Sequence, residues 1–163
     1  MAQEPGPQQL VALLAATPGS IAELTARAPR RVLHSSPTPG EWSANEVLAH
    51  LRACSDMWGG AMASIVNEWP SSLRAVNPRT WIDHTDYVEL EFPVSLRAFT
   101  EQRGKLLAVL DSLSAPEWMR SVTVTGAGAP LQRTVLDYGR RLVRHERPHV
   151  KQIGLTVHVL TKR

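Results

Sequence analysis

Arg144-His145-Glu146-Arg147-Pro148-His149-Val150-Lys151-Gln152-Ile153 is the stretch from which the fold can be read outward. His145 and His149 are four apart, so on a helix they project from one face, one turn above the other. The same face runs back through Leu142, Tyr138 and Val135 and forward through Ile153 and Leu160, a stripe that belongs against a core. Two imidazoles on such a stripe need an explanation. His50 repeats the oddity, on a stripe of Val47, Cys54, Met57, Ala61 and Ile65. Three inward histidines on two helices can supply three nitrogen ligands to a divalent metal. The competing reading is three core histidines satisfied by hydrogen bonds.

Outward from that stretch, the periodicity predicts four long amphipathic helices and little strand. Leu10, Val11, Leu13, Leu14, Ile21 and Leu24 mark a first helix over about 8 to 28, interrupted at Thr17-Pro18-Gly19 because proline removes a donor and crowds the preceding turn. Either a kink, or two abutting helices with Thr17 capping the second, satisfies the pattern. Ser43 and Glu46 have capping-box spacing and open a second helix over about 44 to 68, with Gly59-Gly60 a weak or close-packed spot. Residues 69 to 92 read as a long irregular loop. A third helix begins near Pro93 with Leu96, Phe99, Arg103, Leu106, Leu110 and Leu113 on its inner stripe. Residues 114 to 130 form a second connection in which Val122 to Thr125 suits a short strand, and Thr134 with Asp137 opens the fourth helix, about 134 to 161. The expectation is one all-α domain over residues 1–163, a four-helix bundle, in which sites are built from side chains on facing helices.

Composition narrows the function classes. At 163 residues the chain is long enough for a real core, and 43% hydrophobic with 20% charged residues is ordinary for a globular domain. One cysteine, Cys54, excludes an internal disulfide and fits a reducing compartment. Residues 1 to 9 carry no Lys or Arg, and the apolar run Leu10 to Ala16 is short and passes into a helical pattern, so neither a secretory signal nor a membrane span is expected and the cytoplasm is. The net charge of +3 invites a nucleic-acid reading. Its most organised part is Arg140, Arg144, Arg147 and Lys151, which lie opposite the histidine face and suit a solvated outer face better than a phosphate-binding stripe. No nucleic-acid or membrane partner is expected.

His145 to His149 is a literal H-E-x-x-H. In zinc proteases that motif supplies two ligands and a glutamate base, with a third ligand downstream. Here no Asp or Glu follows Glu146, and Gln152 and Leu155 stand where the extended motif wants Gly and His. A protease of that kind is not expected, because the motif's context is missing. With His50 as the third ligand instead, three neutral imidazoles leave the ion its double charge and open positions for water or a thiolate, lowering the pKa of bound water to about 7.

Gly40-Glu41-Trp42-Ser43-Ala44-Asn45-Glu46-Val47-Leu48-Ala49-His50-Leu51 closely resembles the helix-two signature of the DinB-like (DinB/YfiT) superfamily. Ser95-Leu96-Arg97-Ala98-Phe99, the Leu110 to Trp118 stretch, and His145-x-x-x-His149-x-x-Gln152-Ile153 resemble that family's later segments, and residues 70 to 92 match it least. The resemblance implies a four-helix bundle holding a divalent metal on a histidine triad, carried here by His50, His145 and His149. It implies zinc, nickel or iron as the metal, and an activity among metal-dependent hydrolases and transferases that use low-molecular-weight thiols such as mycothiol or bacillithiol. A homodimer is also implied. Pro148 departs from the family pattern and is expected to bend the fourth helix between two of the ligands.

Further candidates surround the triad. Tyr138, two turns before His145 on its face, is a candidate donor to a substrate oxygen, against a core aromatic as the plain reading. Glu146 is a candidate for a catalytic or outer role, against simple solvation at the surface. Asp83, His84 and Tyr87 are candidates to line the pocket from the long loop. Cys54, one turn beyond His50, is a candidate fourth ligand or reactive thiol, against ordinary packing. His34 and His158 carry no argument. A metal-dependent enzyme acting on a small-molecule substrate is the leading reading, and a non-catalytic binding or stress-response module with a structural or absent metal is its rival.

Overall fold

Two capping boxes set the starts of the helices that carry the histidines. Ser43 Oγ accepts from the Glu46 N–H (3.2 Å) while the Glu46 carboxylate accepts from the Ser43 N–H (2.7 Å). Thr134 and Asp137 do the same at 3.0 and 2.8 Å. Each box satisfies donors that a helix start leaves orphaned and is worth about 1 kcal/mol. The structure, a computed structural model, describes residues 4–163; the first three residues of the polar lead lie outside it.

The bundle is built from α1 (Pro7–Thr25), α3 (Ala44–Cys54) continuing into α4 (Gly60–Asn67), α6 (Phe92–Leu110) and α8 (Val135–Thr161). Short helices α2 (Arg30–Leu33), α5 (Pro78–Ile82) and α7 (Ala115–Trp118) sit in the connections. Between α3 and α4 the chain makes a π-helical turn, Ser55–Gly59, where one strictly α-helical segment was expected. The turn inserts about one residue and rotates the faces of α4 by about 100° relative to α3. The apolar stripe moves accordingly. Met57 and Ala61 are half-buried and face a cavity, whereas Met62 is wholly buried.

Pro18 does not break α1, which runs through it unbroken, and Thr17 caps nothing. Thr17 Oγ1 instead donates to the Leu13 carbonyl (3.2 Å) and is 3.0 Å from Glu146 Oε2. The donor that proline lacks would have met the Leu14 carbonyl, and that oxygen receives Arg103 Nη1 at 2.8 Å. The fourth helix is likewise unbroken through Pro148, so His145 and His149 stay on one continuous helix.

The two connections hold more order than the sequence suggested. The long loop contains a strand, β1 (Ser72–Arg74), as well as α5. The second connection contains β2 (Ser121–Thr125) and β3 (Leu131–Thr134), of which only β2 was anticipated. They form one sheet in the order β1-β2-β3, with β1 parallel to β2 (Ser72 opposite Thr123) and β2 antiparallel to β3 (Ser121 opposite Thr134). Val122 and Val124 are its buried face.

The core is two apolar clusters. One holds Leu10, Leu14, Cys54, Met62, Leu106, Tyr138 and Leu142; the other holds Ile21, Val47, Leu48, Leu51, Phe92, Phe99 and Ile153. At Gly139 an added Cβ would lie 3.2 Å from Leu10 Cδ1, so the close approach of α1 to α8 requires glycine there. Along three of the four long helices a polar residue stands where one cluster gives way to the other: Thr17 on α1, Arg103 on α6, Glu146 on α8. Among the described residues no helix is long and apolar enough to cross a membrane.

Candidate metal centre

His50, on α3, and His145 and His149, on α8, each present one ring nitrogen to a common point, these nitrogens lying within 4.8 Å of one another. His50 Nε2 and His145 Nε2 are 2.9 Å apart. The ring centroids are separated by 5.1, 5.0 and 4.7 Å, mutually tilted rather than stacked. Ligand nitrogens about 2.0–2.1 Å from a shared ion sit about 2.8–3.4 Å apart, which the His50–His145 pair fits.

The protonation state fits too. Burial, then the neighbouring His149 imidazole, pushes both His50 and His145 down to about 4, and Arg79 adds to the effect at each. Both rings are therefore neutral near pH 7, with lone pairs free for a cation. His149 Nδ1 lies 3.0 Å from Gln152 Oε1; donation along that contact fixes the tautomer and leaves Nε2 as the acceptor. The donor set, His50 buried and the other two half-buried, is all imidazole, which suits a divalent transition metal.

Cys54 Sγ lies behind the pair, 3.5 Å from His50 Nε2 and 3.4 Å from His145 Nε2. The thiol is wholly buried. Burial first, and the charge of Glu146 second, push it up to about 12, so it is a protonated, packed neighbour in this structure.

A cavity of about 940 Å³ opens beside the triad, within the range of small-molecule sites. The π-helical turn supplies Met57 and Trp58 to its wall, the sheet supplies Leu73, Val124 and Leu131, and α8 supplies Tyr138 and Arg141. Tyr138 is nearly buried and its hydroxyl has no hydrogen-bond partner among the described residues. Burial raises its pKa, so it stays a neutral donor. Trp58 stands edge-on to His145 at 4.9 Å, and Trp42 stacks on His149 at 6.4 Å.

The remaining candidates lie elsewhere. Glu146 is not solvated at the surface: it is 2% exposed and forms an ion pair with Arg103, with Thr17 as a further partner. About 100° around α8 from His145 proves to be inward, because α1 packs on α8 and Arg103 reaches that side from α6. Asp83 and His84 are exposed and do not line the cavity. Tyr87 also lies away from it; its hydroxyl donates to Asp56 Oδ2 at 2.7 Å and its ring lies under the Arg52 guanidinium. Of the outer stripe, Arg144, Arg147 and Lys151 are exposed, and Arg140 pairs with Glu4.

The roles of three side chains near the triad were not assigned from sequence, although Gln152 stands in the motif that carries the resemblance. Arg141 is four residues before His145, so the same periodicity that selected Tyr138 selects it too. Gln152 lies three beyond His149, the spacing for a contact along one face. Arg79 carries no such signal, because its position depends on how the long loop returns over α3.

Comparison with known proteins now bears on this geometry. The family model of the DinB superfamily matches residues 13–153. No curated protein matches the sequence. Among solved structures, YfiT from Bacillus subtilis, described as a probable metal-dependent hydrolase with an unusual four-helix bundle topology, is similar at a TM-score of 0.80. The identity is 16%, over 99% of this chain and 91% of that one, a likeness of fold.

Proposed function

Because the chain belongs to the DinB superfamily, we propose that it is a metal-dependent enzyme acting on a small molecule, with His50, His145 and His149 holding a divalent ion at the cavity. The observation that carries this reading is the convergence of three imidazole nitrogens within 4.8 Å at the wall of a large cavity. A divalent ion on three neutral imidazoles supplies Lewis acidity and lowers the pKa of bound water toward about 7.

The chain's own residues do the rest. Gln152 holds the His149 ring in the tautomer that offers Nε2. Tyr138, with a free neutral hydroxyl, donates to a substrate oxygen. Trp42 and Trp58 wall the imidazoles and limit the water that reaches them. Glu146, clamped to Arg103, positions the turn of α8 that carries His145 and takes no proton from substrate.

Hydrolysis is the leading activity. Transfer from a low-molecular-weight thiol such as mycothiol or bacillithiol is the second, favoured by a cavity of about 940 Å³, roomy enough for a thiol and an acceptor together. We place the protein in the cytoplasm, where its one cysteine stays reduced, and expect a homodimer.

Elemental analysis of tag-free protein, beside His149→Ala, tests the site. The expected result is about one zinc, nickel or iron per chain, lost in the variant. Absence of metal after reconstitution with each of the three overturns the proposal. Turnover that survives complete removal of the metal overturns the enzyme reading, and turnover that appears only with added thiol selects transfer over hydrolysis.

A further inference from the structure

Four arginines, Arg74, Arg79, Arg133 and Arg141, line the cavity that holds the triad. None of the four has an ion pair or a side-chain hydrogen bond among the described residues. Asp56 is the one acid in the lining, and it is already spent on other partners: Oδ2 accepts from Trp81 Nε1 (3.0 Å) and Tyr87 Oη (2.7 Å), while Oδ1 accepts from Gln102. The cavity is therefore a strongly cationic space, four guanidinium groups against the single carboxylate of Asp56, which pairs with none of them.

Two of the four are held in place against the triad itself. Arg141 lies over the Trp58 ring at 4.6 Å, and Trp58 stands 4.9 Å from His145. Arg79 lies over the Trp42 ring at 5.4 Å, and Trp42 is 5.1 Å from His50 and 6.4 Å from His149. Each guanidinium is thus fixed by an aromatic ring that abuts a histidine, with its donors left free. A planar guanidinium with unspent donors matches a carboxylate or phosphate, and stacking on an aromatic limits the entropy lost when it binds one. Beside the cations, Met57, Leu73, Val124 and Leu131 give the cavity an apolar wall.

We propose that the substrate of this site is a small-molecule anion, carrying a carboxylate or phosphate group that Arg79 and Arg141 grip while its reacting end lies at the histidines. The inference rests on the reading of the triad as the reacting centre, and assigns to the two arginines the choice of substrate. Positioning of the anion comes from the arginine–tryptophan pairs; Arg74 and Arg133 add long-range attraction, which salt weakens.

Calorimetric titration tests it with three probes: glutarate, its neutral diamide glutaramide, and inorganic phosphate. Each is titrated into zinc-reconstituted protein, into metal-free protein, and into Arg79→Gln and Arg141→Gln variants checked for folding by circular dichroism. Glutarate or phosphate should bind at least about tenfold tighter than glutaramide, and each substitution should weaken it by about tenfold. The preference between the two anions identifies the charged group. Binding of the diamide as tight as that of glutarate, failure of both anions to bind, or anion binding that needs zinc but ignores both substitutions overturns the inference. The last result leaves the metal site standing. Conversely, arginine-dependent anion binding by a protein that takes up no metal sinks the enzyme reading and keeps the anion site.

Discussion

His145 and Glu146 are neighbours in the chain and opposites in the structure. Glu146 points into a nearly closed knot: both its oxygens meet Arg103, Thr17 Oγ1 is 3.0 Å away, and the Arg103 terminal nitrogens also donate to the Leu14 carbonyl and Ser55 Oγ, which leaves the buried Arg103 Nε without a partner among the described residues. His145 points into an open cluster, three imidazoles whose nitrogens face one another with no acid among them, beside a cavity lined by unpaired arginines. The two sets lie side by side at the junction of the same two apolar clusters. The difference is saturation. A buried polar group whose partners are all supplied by the fold has nothing left for a ligand, whereas one whose partners are missing is waiting for them.

Breaking the knot should have the larger effect on stability. Glu146→Ala leaves the Arg103 guanidinium charged and unpartnered in the core, a loss of about 3–5 kcal/mol in urea unfolding. The double replacement Arg103→Met with Glu146→Leu should recover most of it, since apolar substitutes remove both desolvation costs. A loss below about 1 kcal/mol for Glu146→Ala, near the ordinary average for any substitution, would mean that the knot is not closed as described. Metal binding in the double variant sharpens the comparison: retention there confines Glu146 to support.

Gln152→Ala acts on the open cluster alone. It frees the His149 ring to change tautomer, and zinc affinity should fall by about 10–100-fold, read by competition with a chelator. Unfolding of the metal-free protein should stay within about 0.5 kcal/mol of the parent. A stability loss without a change in affinity would move Gln152 to the structural side.

The smallest effect belongs to Tyr87, which ties the long loop to the π-helical turn through Asp56. Burial first, then its hydrogen bond to Asp56, pushes the phenol up to about 12. The folded chain thus holds this proton more tightly than the unfolded one, whose phenol titrates near 10. Its contribution is complete below pH 10 and is lost as pH rises through 12. Melting temperatures between pH 9 and 12 should fall less steeply in Tyr87→Phe than in the parent, and parallel curves would exclude the linkage.

Most of the bundle was legible because its long helices announce themselves by periodicity and caps: Ser43 with Glu46, Thr134 with Asp137, and the stripe through His145 and His149. The histidine triad was legible for the same reason, as polar residues on stripes that face inward. Pro18 misled because proline's cost depends on whether another donor meets the carbonyl it abandons, and here the donor, Arg103, comes from a helix 85 positions further along the chain (103 − 18). Arg103 stood on the expected inner stripe, a sign of a buried counterion, but Glu146 could not be chosen for it before the packing of α1 against both α6 and α8 was known. The strand β3, with Leu131 and Gln132 exposed, has no apolar alternation to betray it. Arg79 and Tyr87 depend on a loop path that local sequence does not encode.

The π-helical turn also matters for how this chain is compared with others. A relative whose second helix is wound as α throughout has one residue fewer between structurally matching ends, so the two sequences fall out of phase somewhere in 55–59. An alignment that refuses a single-residue gap there pairs Met62 with the residue that matches Ala63 in space, and every column as far as Asn67 is then one position wrong.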